Sequence, residues 1–145
     1  MWPGFWLHFG GRCAIINIMR AKEFCKGVET MLFLQYPPCS TCQKAKKWLD
    51  EHSVAYTDRH IKTQNPTYEE LKAWYAQSGL PLKKFFNTSG LAYKALNLKE
   101  KLPTMTEEEQ LRLLATDGML VKRPILVTEH AVLVGFREAQ WESIL

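Results

Sequence analysis

Apolar and polar positions after residue 30 predict a strand, a helix and a second strand. Residues 32–36 form a short apolar run that stops at two prolines, which is typical of a buried strand. Ser40 or Thr41 can cap a helix that continues to about His52. Residues 55–61 alternate between polar and apolar types and predict the second strand. The first half of this region is therefore a βαβ unit.

The rest of the chain predicts a block of helices followed by a hairpin and a last helix. Capping boxes at Thr67 and Thr106 predict two helices, and short helical pieces lie between them. Residues 125–128 and 131–134 predict two hairpin strands, and residues 137–145 predict a helix. The predicted fold class is α/β, with one mixed sheet and a helical insertion between the βαβ and ββα halves.

Residues 1–30 lack the periodicity of the following region. No basic segment precedes an unbroken apolar run, so neither a signal peptide nor a membrane helix is predicted. We expect Met31 to be the natural start and residues 1–30 to be a non-native upstream extension. The alternative is a disordered N-terminal arm. The folded domain is predicted over residues 31–145.

Composition narrows the class of protein. Apolar residues make up 46% and charged residues 23% of the chain, as in soluble globular proteins. A net charge of +4 without a dense basic tract argues against sequence-specific binding of nucleic acid. Four cysteines are too few for a small secreted disulfide scaffold, so we expect a reducing, cytoplasmic location.

The candidate chemistry centres on the closely spaced pair Cys39 and Cys42. A thiol at a helix N-terminus meets unpaired N–H groups and the positive end of the helix dipole, which stabilise its thiolate. Lys44, Lys46 and Lys47 are expected to add positive charge. Cys39 is predicted to be the exposed nucleophile, and Cys42, one turn inside the helix, is predicted to resolve the mixed disulfide or sulfenic acid.

Two other interpretations of the pair remain open. The cysteines could form half of a structural zinc site, which would need two further ligands, and the other cysteines are Cys13 and Cys25. They could also be unreactive buried thiols. A redox role is favoured because a C-x-x-C motif within a βα unit is a fairly specific signal, and no bound metal is expected.

A second candidate feature combines Arg123-Pro124 with a turn at residues 87–90. Arg123 could bind an oxyanion or a thiolate, although an ordinary solvated arginine before a strand is equally compatible with the sequence. The peptide bond before Pro124 could be cis. The turn offers Asn87 and Ser89 as anion ligands, and its alternative is a simple turn and helix cap.

Three separated motifs in this order resemble the ArsC/Spx family over residues 31–145. They are residues 34–45 with the two cysteines, residues 87–90 with Tyr93-Lys94, and Lys122-Arg123-Pro124-Ile125. This family comprises arsenate reductases linked to glutaredoxin and the Spx/MgsR transcription regulators. The resemblance implies a thioredoxin-like fold with a helical insertion and a cis proline at Pro124.

The resemblance also implies roles for individual residues. Cys39 corresponds to the cysteine that attacks arsenate, and Arg123 to one of three arginines around it. Asn87 stands where another arginine is expected, and Arg137 lies near the place of the third. We expect an arsenate reductase-like, thiol-dependent oxidoreductase without a bound cofactor, acting as a monomer away from membranes. Its reductant would be glutathione, glutaredoxin or thioredoxin.

The same resemblance offers a regulator as the alternative. In Spx-like members the C-x-x-C pair is a disulfide switch, and the protein contacts the C-terminal domain of the RNA polymerase α subunit. This chain ends at Leu145 without the basic tail associated with Spx itself.

Overall fold

A four-stranded mixed sheet forms the centre of the structure, a computed structural model that describes residues 31–145. Its strands are β1 (Met31–Gln35), β2 (Tyr56–His60), β3 (Ile125–Val127) and β4 (Val132–Val134), in the order β2-β1-β3-β4. Strand β1 is parallel to β2 and antiparallel to β3, and β3 pairs with β4 as a hairpin. The extension predicted over residues 1–30 lies outside the described residues.

Successive side chains of the central strands enter two separate cores. Phe33 and Leu126, which lie opposite each other, pack with helix α1 (Ser40–Glu51). Leu34 and Ile125, the next opposed pair, pack on the other face of the sheet. The short apolar run at β1 is therefore buried on both faces, as a central strand requires.

The helical insertion covers the second face of the sheet. It contains helices α2 (Tyr68–Ser78), α3 (Leu91–Ala95), α4 (Leu98–Lys101) and α5 (Glu107–Thr116), with 3-10 turns among them. Helix α6 (Glu138–Glu142) follows β4 and returns to the α1 side of the sheet. Its fully buried Trp141 packs edge-on against three aromatic rings, those of Phe33, Trp48 and Phe136. The predicted α/β fold with its helical insertion is confirmed.

Local signals begin and end the helices of the insertion. Both predicted capping boxes form, Thr67 with Glu70 and Thr106 with Glu109, with side chain and backbone bonded reciprocally. Helix α2 ends at Gly79, whose φ of +64° is a left-handed conformation that suits glycine. Within residues 31–145, no helix is long and apolar enough to cross a membrane.

At Gly118 the backbone after helix α5 packs closely against the residue that follows β2. A Cβ at this position would overlap the carbonyl oxygen of Ile61, the residue after β2, and would lie 2.7 Å from its carbonyl carbon. Only a residue without a side chain fits there. This contact fixes the backbone a few residues before Arg123.

Candidate active site

Cys39 lies at the point where the turn after β1 becomes helix α1. Its N–H donates to the carbonyl of Tyr36 at 2.9 Å, and its own carbonyl accepts from Gln43 at 3.1 Å. Cys39 is itself the N-cap, so the prediction that Ser40 or Thr41 caps the helix is wrong. The two prolines and the Tyr36–Cys39 turn shift the start of the helix one residue earlier than capping preferences indicate.

Cys42 lies one turn inside the helix and is fully buried, whereas Cys39 is partly exposed. The backbone N–H of Tyr36 donates to the sulfur of Cys42, with 3.4 Å between the two atoms. Both cysteines are free thiols in this structure. A reagent from solvent can therefore meet the sulfur of Cys39 and not that of Cys42.

Burial and hydrogen bonds shift the two thiols in opposite directions. Burial tends to raise the pKa of Cys39, but the Cys42 N–H, the Cys42 thiol and the Arg123 guanidinium outweigh it, and the pKa falls below its ordinary value. Burial raises the pKa of Cys42 to about 12, and the adjacent Cys39 contributes to that rise. The outer thiol is thus the more acidic, and the inner thiol stays protonated near neutral pH.

Arg123 supplies the positive charge beside the thiols. Two of the three lysines proposed from the sequence are engaged elsewhere: Lys46 donates to Tyr56 at 2.9 Å, and Lys47 pairs with Glu51 at 3.6 Å. The expectation that these two lysines act on the thiols is therefore wrong. Their side chains leave α1 toward β2 and along the helix surface, which the sequence pattern does not specify.

The guanidinium of Arg123 is held by an aromatic ring and a thioether. Its central carbon lies 4.8 Å from the ring centroid of Tyr36, and its Nη1 is 3.9 Å from the sulfur of Met119. Its Nε is buried and has no hydrogen-bond partner within residues 31–145, where it also forms no salt bridge. The charge of Arg123 is therefore uncompensated and available to an anion at Cys39. The peptide bond between Arg123 and Pro124 is cis.

A short backbone pairing brings the turn at residues 87–90 to the same place. Phe86 bridges Val121 in antiparallel fashion, and the Asn87 N–H donates to the Leu120 carbonyl at 2.7 Å. The Asn87 side chain accepts from the Ser89 hydroxyl at 3.2 Å. The turn is therefore held against the segment that carries Arg123.

The predicted site residues converge on one cleft of about 730 Å³. Its walls contain Cys39, Arg123, Asn87, Ser89 and Arg137, and Cys42 is buried next to Cys39. Sequence reasoning missed two further basic residues of the wall, Lys84 and Lys122. Lys122 stands directly before Arg123 in the motif, but nothing local indicates which way its side chain points.

The structure gives no support to a metal centre in its described part. Among residues 31–145, no three His, Cys, Asp or Glu side chains lie together as a ligand set. A structural zinc ion takes four ligands, and the thiol pair provides two. Cys13 and Cys25, the other candidates in the zinc alternative, lie outside the described residues.

Comparisons with known proteins match this fold and this sequence. The chain superimposes on a crystal structure of a putative ArsC family related protein from Bacteroides fragilis with a TM-score of 0.80 and 65% identity, covering 82% of this chain and 100% of that one. It is 58% identical to the uncharacterized protein YusI of Bacillus subtilis, covering 79% of this chain and 97% of the relative. The regulatory protein MgsR of the same organism is 32% identical, covering 77% and 87%.

The family model of the ArsC family matches residues 34–144, which is nearly all of the described chain. That span includes both cysteines, the turn at residues 87–90, and Arg123 with its cis proline. The motifs that first suggested the resemblance thus lie within a single continuous match, and the chain belongs to the ArsC family.

Proposed function

We propose that the chain is a thiol-disulfide oxidoreductase that uses Cys39 as nucleophile and Cys42 as resolving thiol. The observation that carries this proposal is the asymmetry of the pair. Cys39 is partly exposed with a lowered pKa, and Cys42 is fully buried with its pKa raised to about 12. Such a pair attacks external disulfides through one sulfur and resolves them through the other.

The reaction proceeds in two exchanges. The Cys39 thiolate attacks one sulfur of a substrate disulfide, a Cys39–substrate disulfide forms, and the other half leaves as a thiolate. Cys42 then loses its proton to solvent and attacks the sulfur of Cys39, which releases the second substrate thiolate. The substrate gains two electrons, and the protein is left with a Cys39–Cys42 disulfide. Glutathione, glutaredoxin or thioredoxin restores the dithiol.

Arg123 stabilises the negative charge of the Cys39 thiolate. Its uncompensated guanidinium lies at the same cleft wall, and it contributes to the lowered pKa of Cys39. Burial is the main cause of the raised pKa of Cys42, and once Cys39 is in a mixed disulfide its charge no longer adds to that rise.

Arsenate is a weaker candidate substrate than a disulfide. Asn87 stands where the family resemblance implies an arginine, and its amide already accepts from Ser89. The position of Asn87 therefore lacks the cation that the resemblance implies there for a tetrahedral oxyanion.

The test uses the full chain, reduced beforehand, with bis-hydroxyethyl disulfide and separately with arsenate. We expect disulfide reduction by the wild type, loss of reduction in Cys39→Ser, and a trapped mixed disulfide in Cys42→Ser that mass spectrometry detects. Wild-type turnover in Cys39→Ser, or no thiol-dependent reduction of bis-hydroxyethyl disulfide by the wild type, would refute the proposal.

A second candidate function is supported by the relatives that are named as regulators. MgsR is named a regulatory protein, and a 31% identical relative from Enterococcus faecalis is named the global transcriptional regulator Spx. In this alternative the same thiol pair is a cytoplasmic redox switch whose oxidation alters binding to the RNA polymerase α subunit. Pull-down with the C-terminal domain of that subunit tests it, using reduced and oxidised protein. Absence of binding in both states would remove the alternative.

A further inference from the structure

The cleft at Cys39 carries more positive charge than the redox chemistry requires. Besides Arg123, its wall includes Lys84, Lys122 and Arg137, and it includes no aspartate or glutamate. None of these four side chains forms a salt bridge within the part of the chain that the structure describes. Like charges that face one space without counter-ions attract anionic ligands and raise their local concentration.

The additional charges come from both walls of the cleft. Lys84 belongs to the 3-10 turn Leu82–Phe85 of the insertion, and Arg137 is the N-cap residue of α6 on the other side of the sheet. Lys122 connects the two walls, since its Cε lies 3.5 Å from where a Cβ on Gly135 would be. Gly135 has a φ of +81°, a left-handed conformation that favours glycine.

A backbone contact holds Lys122 close to the turn that carries Lys84. The N–H of Lys122 donates to the carbonyl of Phe85 at 2.7 Å, so Lys122 is fixed beside the turn that carries Lys84. The two lysines are thus neighbours across the Phe86–Val121 bridge, although 38 positions separate them in the chain (122 − 84). Two lysines on the wall of the cleft that contains Cys39 match a carboxylate carried by the substrate of that thiol.

The size of the cleft indicates what kind of anion it takes. A volume of about 730 Å³ lies within the range of pockets that hold small organic ligands. The apolar wall residues Leu80 and Phe136 also suit an organic ligand better than a bare oxyanion.

We propose that Lys84 and Lys122, assisted by Arg137, form a carboxylate-binding subsite that selects small disulfides with acidic groups near the reacting sulfur. This inference rests on the proposed redox function, because the subsite orients a substrate for attack by Cys39. The lysines bind the part of the substrate that does not react, and the exchange steps are those already given. Cationic disulfides are disfavoured by the same charges.

The test compares three small dialkyl disulfides that differ in charge: dithiodipropionate, bis-hydroxyethyl disulfide and cystamine. The full chain is reduced beforehand, and its oxidation is followed by acid quench and mass spectrometry. Each rate constant is divided by that of mercaptoethanol with the same disulfide, which removes intrinsic differences in reactivity. We expect the anionic disulfide to react about tenfold faster than the cationic one at low ionic strength, and this ratio to fall as salt is added.

Two double variants with equal loss of charge separate the subsite from the net charge. Lys84→Gln/Lys122→Gln is expected to lower the anionic-to-cationic ratio by about threefold, since Arg123 and Arg137 remain in the cleft. Lys99→Gln/Lys101→Gln, on helix α4 and outside the cleft wall, is expected to retain the wild-type ratio. Circular dichroism and thermal unfolding of both variants verify that they fold.

The outcomes distinguish this inference from the function on which it rests. If the neutral disulfide is not reduced by the wild type, the proposed redox function fails. If the neutral disulfide is reduced but the three rates are equal, the subsite alone is refuted. A ratio that persists in Lys84→Gln/Lys122→Gln, or that falls equally in both double variants, also refutes the subsite, because the preference would then come from long-range charge.

Discussion

The difference between the two thiols predicts which one an alkylating reagent modifies. Burial raises the pKa of Cys42 to about 12, against an ordinary value of 9.0. Three pH units correspond to a thiolate fraction about 1000-fold lower than that of an ordinary thiol at any pH well below 9. Intrinsic nucleophilicity rises with pKa and recovers about 15- to 30-fold of that loss.

Cys42 is therefore expected to react about 30- to 70-fold more slowly than an ordinary cysteine, before its burial slows it further. Cys39, with its lowered pKa and partial exposure, is expected to react first. The assay is iodoacetamide alkylation of the reduced chain, followed by peptide mapping with mass spectrometry. A Cys13→Ser/Cys25→Ser background removes the other two cysteines from the measurement.

The control for this assay is the denatured protein, in which the two thiols should react at similar rates because neither environment persists. The single variants Cys39→Ser and Cys42→Ser then report each thiol separately. Equal rates of alkylation of Cys39 and Cys42 in the folded, reduced wild type would refute the reasoning, because burial and charge would not then distinguish the thiols.

Three further changes test the electrostatics and the packing. Arg123→Gln should raise the pKa of Cys39 and slow its alkylation at mildly acidic pH. The control Arg112→Gln removes an exposed arginine of α5 and should leave the pKa of Cys39 unchanged. An unchanged pH profile of alkylation in Arg123→Gln would contradict the role of Arg123. Gly118→Ala should lower the free energy of unfolding, measured in urea, by about 2–3 kcal/mol, because the new Cβ meets the Ile61 carbonyl. Gly79→Ala should lower it by about 1 kcal/mol, because only the positive φ is strained there. Glu70→Gln should cost about 1 kcal/mol at neutral pH. The hydrogen bond from Arg59 lowers the pKa of Glu70 below its ordinary 4.5. The contribution of Glu70 to the free energy of unfolding is therefore complete above pH 4.5 and is lost as the pH falls through the pKa of the folded state. The unfolding free energies of Glu70→Gln and wild type should converge in acid, and a constant difference would contradict this account.

Local sequence signals determined much of the fold. The capping boxes at Thr67 and Thr106 and the left-handed Gly79 are contacts between residues a few positions apart, so the sequence displays them directly. The alternation that places Phe33 and Leu34 in different cores follows from the geometry of a strand. Such features could be predicted without knowledge of the tertiary structure.

The sequence identified which residues form the site, but it could not show how they are arranged. Cys39 and Arg123 were identified from their motifs, yet the contacts of Arg123 with Tyr36 and Met119 depend on how three distant segments pack. The bridge between Phe86 and Val121 is a single pair outside the main sheet, and no periodicity of the sequence predicts it. Lys84 was missed for the same reason, because its place at the cleft exists only once that bridge has formed.

Tyr36 contacts the surroundings of both thiols. Its backbone N–H lies against the sulfur of Cys42, and its ring supports the guanidinium that stabilises the Cys39 thiolate. The equilibrium between dithiol and disulfide depends on how well each thiol is stabilised in the reduced form. A substitution at Tyr36 keeps the backbone N–H and changes the ring that supports Arg123. The reduction potential of the pair can therefore be altered at Tyr36 without changing either cysteine, and evolution could adjust the protein there toward a more oxidising or a more reducing partner.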